Sequence, residues 1–137
     1  MIRLVLDTNV IVSALLRPAG PPGRVMDLAL SGAAEVLVDP RILGEYREVL
    51  ARPRLGLDVG LVSEFVSLLE LVATAVVARP FDGDLPDEGD RPFIEVARSG
   101  RASALITGNR RHFPDDSVAP TIVLSPAEAL GWWPAER

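Results

Sequence analysis

Residues 1–16 read MIRLVLDTNVIVSALL. Ile2–Leu6 has the length and apolar density of a buried strand, and the apolar pattern that resumes at Val10 predicts a helix over Asn9–Leu16. Between the two stand a carboxylate, a hydroxyl and an amide: Asp7, Thr8 and Asn9. Residues of these types at a strand end are common helix caps. They are also what a functional edge requires, because an open parallel sheet binds ligands at the carboxyl ends of its strands, where strand order reverses. The rest of the chain has to decide between a cap and a site.

Outward from this stretch, short β-branched runs alternate with helical patterns. Strands are predicted at Ile2–Leu6, Glu35–Val38, Ala75–Val77, Ala104–Ile106 and Thr121–Leu124. Helices are predicted at Asn9–Leu16, Pro22–Ser31, Pro40–Ala51, Val59–Ala73, Asp90–Ser99 and Pro126–Leu130. Such alternation implies an α/β fold: a mostly parallel sheet of four or five strands with helices on both faces, three layers in all. Asp39-Pro40 and Ser125-Pro126 each supply an N-cap and a first-turn proline, and Asp58 caps the fourth helix. Gly32 and Gly100 stand where a C′ glycine ends a helix. No repeat, low-complexity tract or linker divides residues 1–137, so one domain is expected. Thr107-Gly108-Asn109 follows the fourth strand as Asp7-Thr8-Asn9 follows the first, and Asp7 and Thr107 are expected to end neighbouring strands.

Composition narrows the chemistry. With 137 residues, 48% of them hydrophobic and 24% charged, the chain reads as an ordinary globular protein. It has no cysteine, which excludes a disulfide framework, a thiolate zinc site and a cysteine nucleophile. The single Arg ahead of an apolar run broken at Asp7 does not have the form of a signal peptide. The longest apolar stretch, Leu61 to Ala78, carries Glu64 and Glu70 and is too polar to cross a bilayer. A soluble, cytoplasmic protein without a membrane partner is expected. The net charge is −5 and all fourteen basic residues are Arg. Gly-x-Ser-x-Gly, Walker A and Gly-x-Gly-x-x-Gly motifs do not occur, and one histidine, His112, does not make a typical zinc site.

Carboxylates remain. On the third helix Ile42, Leu43, Tyr46, Val49 and Leu50 form the apolar stripe; Glu48 falls nearly opposite it, and Glu45 at its border, where a side chain reaches a cleft. On the fifth helix Phe93, Ile94, Val96 and Ala97 form the stripe and Glu95 points away from it. Asp90 opens that helix on the core side, as a site acid or as an N-cap. Asp87 and Glu88 read as loop residues. The oxygen ligands Asp7, Glu45, Asp90 and the Asn109 amide, without thiolate or imidazole, suit Mg²⁺ or Mn²⁺.

The blocks VLDTNVIVSALL, LGEYREVLARPRL and DEGDRPFIEVARSGRASALITGN, in this order and spacing, resemble the PIN-domain ribonucleases. The likeness is strongest to VapC-type toxin components of toxin–antitoxin pairs and runs almost the full chain. It implies a compact α/β sandwich and metal-dependent hydrolysis of single-stranded RNA. The residues matching the family's acids are Asp7, with Asn9 beside it, Glu45 and Asp90, which the resemblance makes the metal ligands. The family's Thr-x-Asp after the fourth strand is Thr107-Gly108-Asn109 here, an amide in place of a carboxylate. Asp87 matches the first acid of this branch's Asp-x-x-Asp-x-x-Phe pattern and could compensate. Arg17, Arg24, Arg52, Arg54, Arg110 and Arg111 are candidates for guiding RNA. A homodimer and a cognate antitoxin are further implied, helped by the apolar segment ALGWWP, unless Trp132 and Trp133 pack on the core.

Two rivals stand beside this. A phospho-acceptor aspartate, as in haloacid-dehalogenase-like phosphatases, relies on a lysine that this chain lacks. A PIN-like fold that has lost catalysis and binds RNA or protein is the stronger alternative, and Asn109 is the feature in its favour.

Overall fold

The strands run β1 (Ile2–Leu6), β2 (Ala34–Val38), β3 (Thr74–Ala75), β4 (Ala104–Ile106) and β5 (Ile122–Leu124), and they form one parallel five-stranded sheet in the order β3-β2-β1-β4-β5. The structure is a computed structural model describing residues 1–133. Between the strands lie α1 (Thr8–Leu16), α2 (Pro21–Leu28), α3 (Pro40–Leu50), α4 (Val59–Val72), α5 (Arg91–Ser99), α6 (Asp115–Val118) and, after β5, α7 (Pro126–Trp132). From β1 the chain winds outward to β2 and β3, then returns across the sheet to β4 and β5. Right-handed crossovers therefore put α1–α4 on one face and α5–α6 on the other. The expected three layers are present.

The reversal falls between β1 and β4. Leu6 pairs with Ile106, and the Asp7 N–H donates to the Ile106 carbonyl at 2.9 Å. Asp7 and Thr107 thus end neighbouring strands. Leu4, Val5, Leu6, Leu105 and Ile106 are completely buried, as the central strands of a sheet covered on both faces must be. The core holds this edge rigidly under whatever stands on it.

Several local expectations are met. Asp39 accepts from the Ile42 N–H at 3.1 Å and Asp58 from the Leu61 N–H at 2.9 Å. Ser125 and Glu128 form a reciprocal capping box. Others are corrected. β3 lies at Thr74–Ala75 and not Ala75–Val77, since Val77 is turned out to solvent at 95% exposure. Gly32 does take the left-handed φ of 91° of a C′ glycine, after a widened turn that starts at Ala29 and carries the chain on from α2. Gly100 keeps a helical φ of −87°, and Arg101 adopts the left-handed one at 53°. Glycine at 100 answers a close approach instead: a Cβ there would stand 2.7 Å from Leu37 Cδ1. Trp132 and Trp133 are half-buried against the core and Pro134 lies outside the described residues. Among the described residues, no helix is long and apolar enough to cross a membrane.

Glu95 is the clearest departure. It is buried, not turned to water, and accepts from the Phe81 N–H at 2.9 Å and from Arg41 Nη1 at 2.7 Å. The segment after β3 folds back over α5, so the outer face of that helix is covered by residues distant in sequence. A helical wheel sees only its own helix.

Candidate active site

Asp7 caps α1 and meets Thr107 across the strand-order reversal. Its Oδ1 accepts from the Thr8 N–H at 2.8 Å, and its Oδ2 from the Thr107 hydroxyl at 2.7 Å. Burial pushes the Asp7 carboxyl above its ordinary pKa and the nearby Glu45 charge adds to this, while the Thr107 and Thr8 hydrogen bonds oppose it. The Thr107 hydroxyl also accepts from the Asn109 N–H at 2.9 Å, so one oxygen ties the two loops together. Asn9 is exposed and accepts the Gly108 N–H at 3.0 Å, fixing the loop after β4 to the start of α1.

Glu45 comes from α3. Its neighbour Tyr46 is fully buried and donates its hydroxyl to the Leu6 carbonyl at 2.5 Å, which fastens the helix to the carboxyl end of β1. Burial, then the charges of Asp7 and Glu45, hold the Tyr46 phenol well above its usual pKa. With the helix so placed, Glu45 is half-buried and receives a hydrogen bond from the Thr8 hydroxyl. Glu48 projects into solvent and pairs with Arg52 at 3.3 Å. The sequence treated Tyr46 as core only; its role in seating Glu45 is visible only in three dimensions.

Asp90 lies in a 3₁₀ turn, Glu88–Asp90, just ahead of α5, and makes no side-chain capping hydrogen bond. It is 9% exposed, and its Oδ2 is buried without a hydrogen-bond partner. Burial and the charge of Asp7 raise its pKa to about 6, with smaller upward contributions from Asp87 and Glu45 and an opposing one from His112. Asp87 is exposed and caps the turn by accepting from the Gly89 N–H at 2.8 Å.

His112 is the residue that sequence reasoning set aside. It sits in a 3₁₀ turn, Arg110–His112, with Nδ1 3.0 Å from Asp90 Oδ2, though without the alignment of a hydrogen bond. Its Nε2 is 3.0 Å from the Asn109 side-chain amide nitrogen. The signal for this placement was the next residue: Phe113 is fully buried and anchors the turn against the core. A polar residue adjoining such an anchor is drawn inward with it.

The six arginines singled out in the sequence are all exposed, and Arg110 is paired with Glu128 at 2.9 Å. A groove of about 450 Å³ opens beside the site, running from Asn9 and Gly108 past Ser13 and Pro21 to Ser125 and Pro126. The donor set suits a hard divalent ion: carboxylates without thiolate, one carrying an unpartnered buried oxygen. The Glu45 charge raises the pKa of both Asp7 and Asp90, and the Asp7 charge raises that of Asp90.

A PIN domain family model matches residues 3–111. The chain belongs to the PIN domain family. It is similar to an uncharacterized protein of Methanocaldococcus jannaschii, at 32% identity over 112 residues, 80% of this chain and 72% of that protein. In fold, this PIN domain is similar to the crystal structure of VapBC2 from Rickettsia felis bound to a DNA fragment from their promoter. The TM-score is 0.62 at 12% identity, covering 90% of this chain and 98% of the other.

Proposed function

We propose that this PIN domain is a divalent-metal-dependent ribonuclease that hydrolyses phosphodiester bonds of single-stranded RNA, working in the cytoplasm as the toxin of a toxin–antitoxin pair. The observation that carries this is Asp90, whose buried Oδ2 has no hydrogen-bond partner and whose carboxyl feels the charges of Asp7 and Glu45. Asp7, Glu45 and Asp90 would hold the ion, Mg²⁺ or Mn²⁺. When bound, such an ion orients water, lowers its pKa and neutralises charge developing on a phosphodiester.

The chain's own part is orientation. Thr107 and Thr8 lock the Asp7 carboxylate by its two oxygens, and the Thr8 hydroxyl holds Glu45 to the same edge. Asn109 offers hydrogen bonds without adding charge. Asn9 and Gly108 line the groove beside the site, and exposed arginines such as Arg17 and Arg111 are the candidates for guiding the RNA. An antitoxin partner is supported by the likeness to a VapBC structure. The homodimer rests on the family resemblance, supported by apolar residues that α4 leaves exposed, Val59 and Leu71 at 82% each.

Purified protein should cut at least some members of a broad RNA panel with Mg²⁺ or Mn²⁺, and EDTA or Asp7→Asn should abolish cleavage. Failure on the whole panel with both metals refutes the proposal. The amide at Asn109 favours one second reading, a weakened PIN domain that binds RNA or protein without cutting. RNA retained in gel shifts but left intact would select it.

A further inference from the structure

The acid set does not account for His112. Asp87, Asp90 and His112 each offer a ligand atom, and these atoms all lie within 4.8 Å of one another. Two observations turn this from a loose grouping into a site. Asp90 is nine-tenths buried, yet its Oδ2 makes no hydrogen bond, and it faces His112 Nδ1 at 3.0 Å. A buried carboxylate oxygen without a donor is costly to keep, and it is costly for a purpose when a cation completes it.

The other side of the ring is equally specific. His112 Nε2 faces the Asn109 side-chain amide at 3.0 Å. A ligating imidazole ordinarily donates its second N–H to a carbonyl or carboxylate, which fixes the tautomer and the plane of the ring. The Asn109 amide presents such an oxygen after a half turn about its side chain, because its two ends are interchangeable in shape. Ligand atoms around an ion with bonds of about 2.1 Å stand roughly 3 to 4 Å apart, so small side-chain rotations are enough to close the set.

We propose that His112 is a metal ligand, that Asp87, Asp90 and His112 form a mixed nitrogen–oxygen site sharing Asp90 with the acidic edge, and that Asn109 orients the imidazole. Such a site accepts first-row transition ions in preference to Mg²⁺, because the imidazole nitrogen is a softer donor than an oxygen. The amide at 109 is then not merely a lost carboxylate. This inference rests on the acidic edge being a divalent-ion site and is independent of whether RNA is the substrate.

Mn²⁺ is the probe. Pulsed electron paramagnetic resonance of the Mn²⁺-loaded full chain should show coupling to ¹⁴N, and His112→Gln should remove it. Calorimetric titration should show His112→Gln weakening Mn²⁺ binding by about tenfold or more while Mg²⁺ binding moves by less than about threefold. Asn109→Ala should keep the ¹⁴N coupling and weaken Mn²⁺ binding by a smaller factor. A wild-type Mn²⁺ complex without ¹⁴N coupling overturns the proposal, as does an equal loss for both ions in His112→Gln. A chain that shows the coupling but cuts no RNA supports this site and refutes the ribonuclease reading instead.

Discussion

Asp90→Asn is expected to make the metal-free protein more stable at neutral pH. The Asp90 carboxyl has its pKa raised from 3.8 to about 6, because burial and Asp7 both disfavour its charged form. Its folded-state value lies above the unfolded one, so between them the folded chain holds a proton that the unfolded chain has released. Stability falls as pH rises through that interval, and the loss is complete above about pH 6. At 1.36 kcal/mol per pKa unit the shift sets a ceiling of about 3 kcal/mol. Water at the open side of the site reduces this, leaving a gain of ~1–2 kcal/mol for the neutral amide. For a chain of this size that corresponds to a rise in Tm of roughly 3–7 °C at pH 7. The assay is thermal unfolding of parent and variant in EDTA at pH 7 and pH 4, where the difference should vanish at the lower pH. Saturating Mn²⁺ at pH 7 should reverse the order, since an ion at a hundred times its Kd adds about 2.7 kcal/mol to the parent and the variant binds it poorly. A variant less stable than the parent at pH 7 in EDTA, or a gap unchanged at pH 4, would refute the argument.

On the proposed function, Glu45→Gln should lose most RNA cleavage while its circular dichroism and Tm stay near the parent's, because it removes a carboxylate charge from the edge that would hold the ion. Glu48→Gln, altering a solvated side chain 71% exposed, should change stability by no more than about 0.5 kcal/mol and leave cleavage intact; comparable activity in the two variants would show the wrong glutamate was chosen. Thr107→Val strips a hydrogen bond from the Asp7 carboxylate and an acceptor from the Asn109 N–H, and chemical denaturation should report a loss of ~1–3 kcal/mol. Tyr46→Phe removes the hydroxyl that fastens α3 to β1. It should cost about 1 kcal/mol and reduce cleavage through a displaced Glu45 rather than through a lost ligand, so metal affinity should fall less than in Glu45→Gln.

The features legible in the sequence are those set by local periodicity. β1 and β4 fall where their apolar runs do, and the stripe Ile42, Tyr46 and Leu50 is buried, so a wheel drawn on it places Glu45 at the border and Glu48 outside. The illegible features depend on segments far apart in the chain. Glu95 looked exposed because its helix alone defined its face, whereas the chain around Phe81 covers it and Arg41 reaches it from α3. Gly100 ends α5 as its position in the sequence indicated, but the close approach of Leu37 of β2, which keeps it small, could not be read there. His112 is weighed in the sequence only as a zinc ligand, and the signal that draws it inward, the core anchor Phe113 beside it, is passed over there.

The stretch that interrupts the first apolar run shows how a buried acid is tolerated. The Asp7 carboxylate lies at the N-terminus of α1, where the helix dipole favours negative charge, and two donors engage its oxygens. Its folding cost is therefore offset in part by the same contacts that aim it. Asp90 has no comparable arrangement: it caps no helix with its side chain, and its Oδ2 faces only an imidazole out of line for a hydrogen bond. Two carboxylates at one edge, one satisfied by the protein and one not, divide positioning from capture. Asp7 can keep the edge assembled by the chain's own contacts, and Asp90 is the group that a bound ion would complete. It follows that Asp7→Asn should raise metal-free stability by less than Asp90→Asn does, because the Thr8 and Thr107 hydrogen bonds that Asp7 gives up oppose the burial cost that it also sheds. Equal gains from the two variants in EDTA at pH 7 would mean that the two acids share their burden, and that the division drawn here between them is wrong.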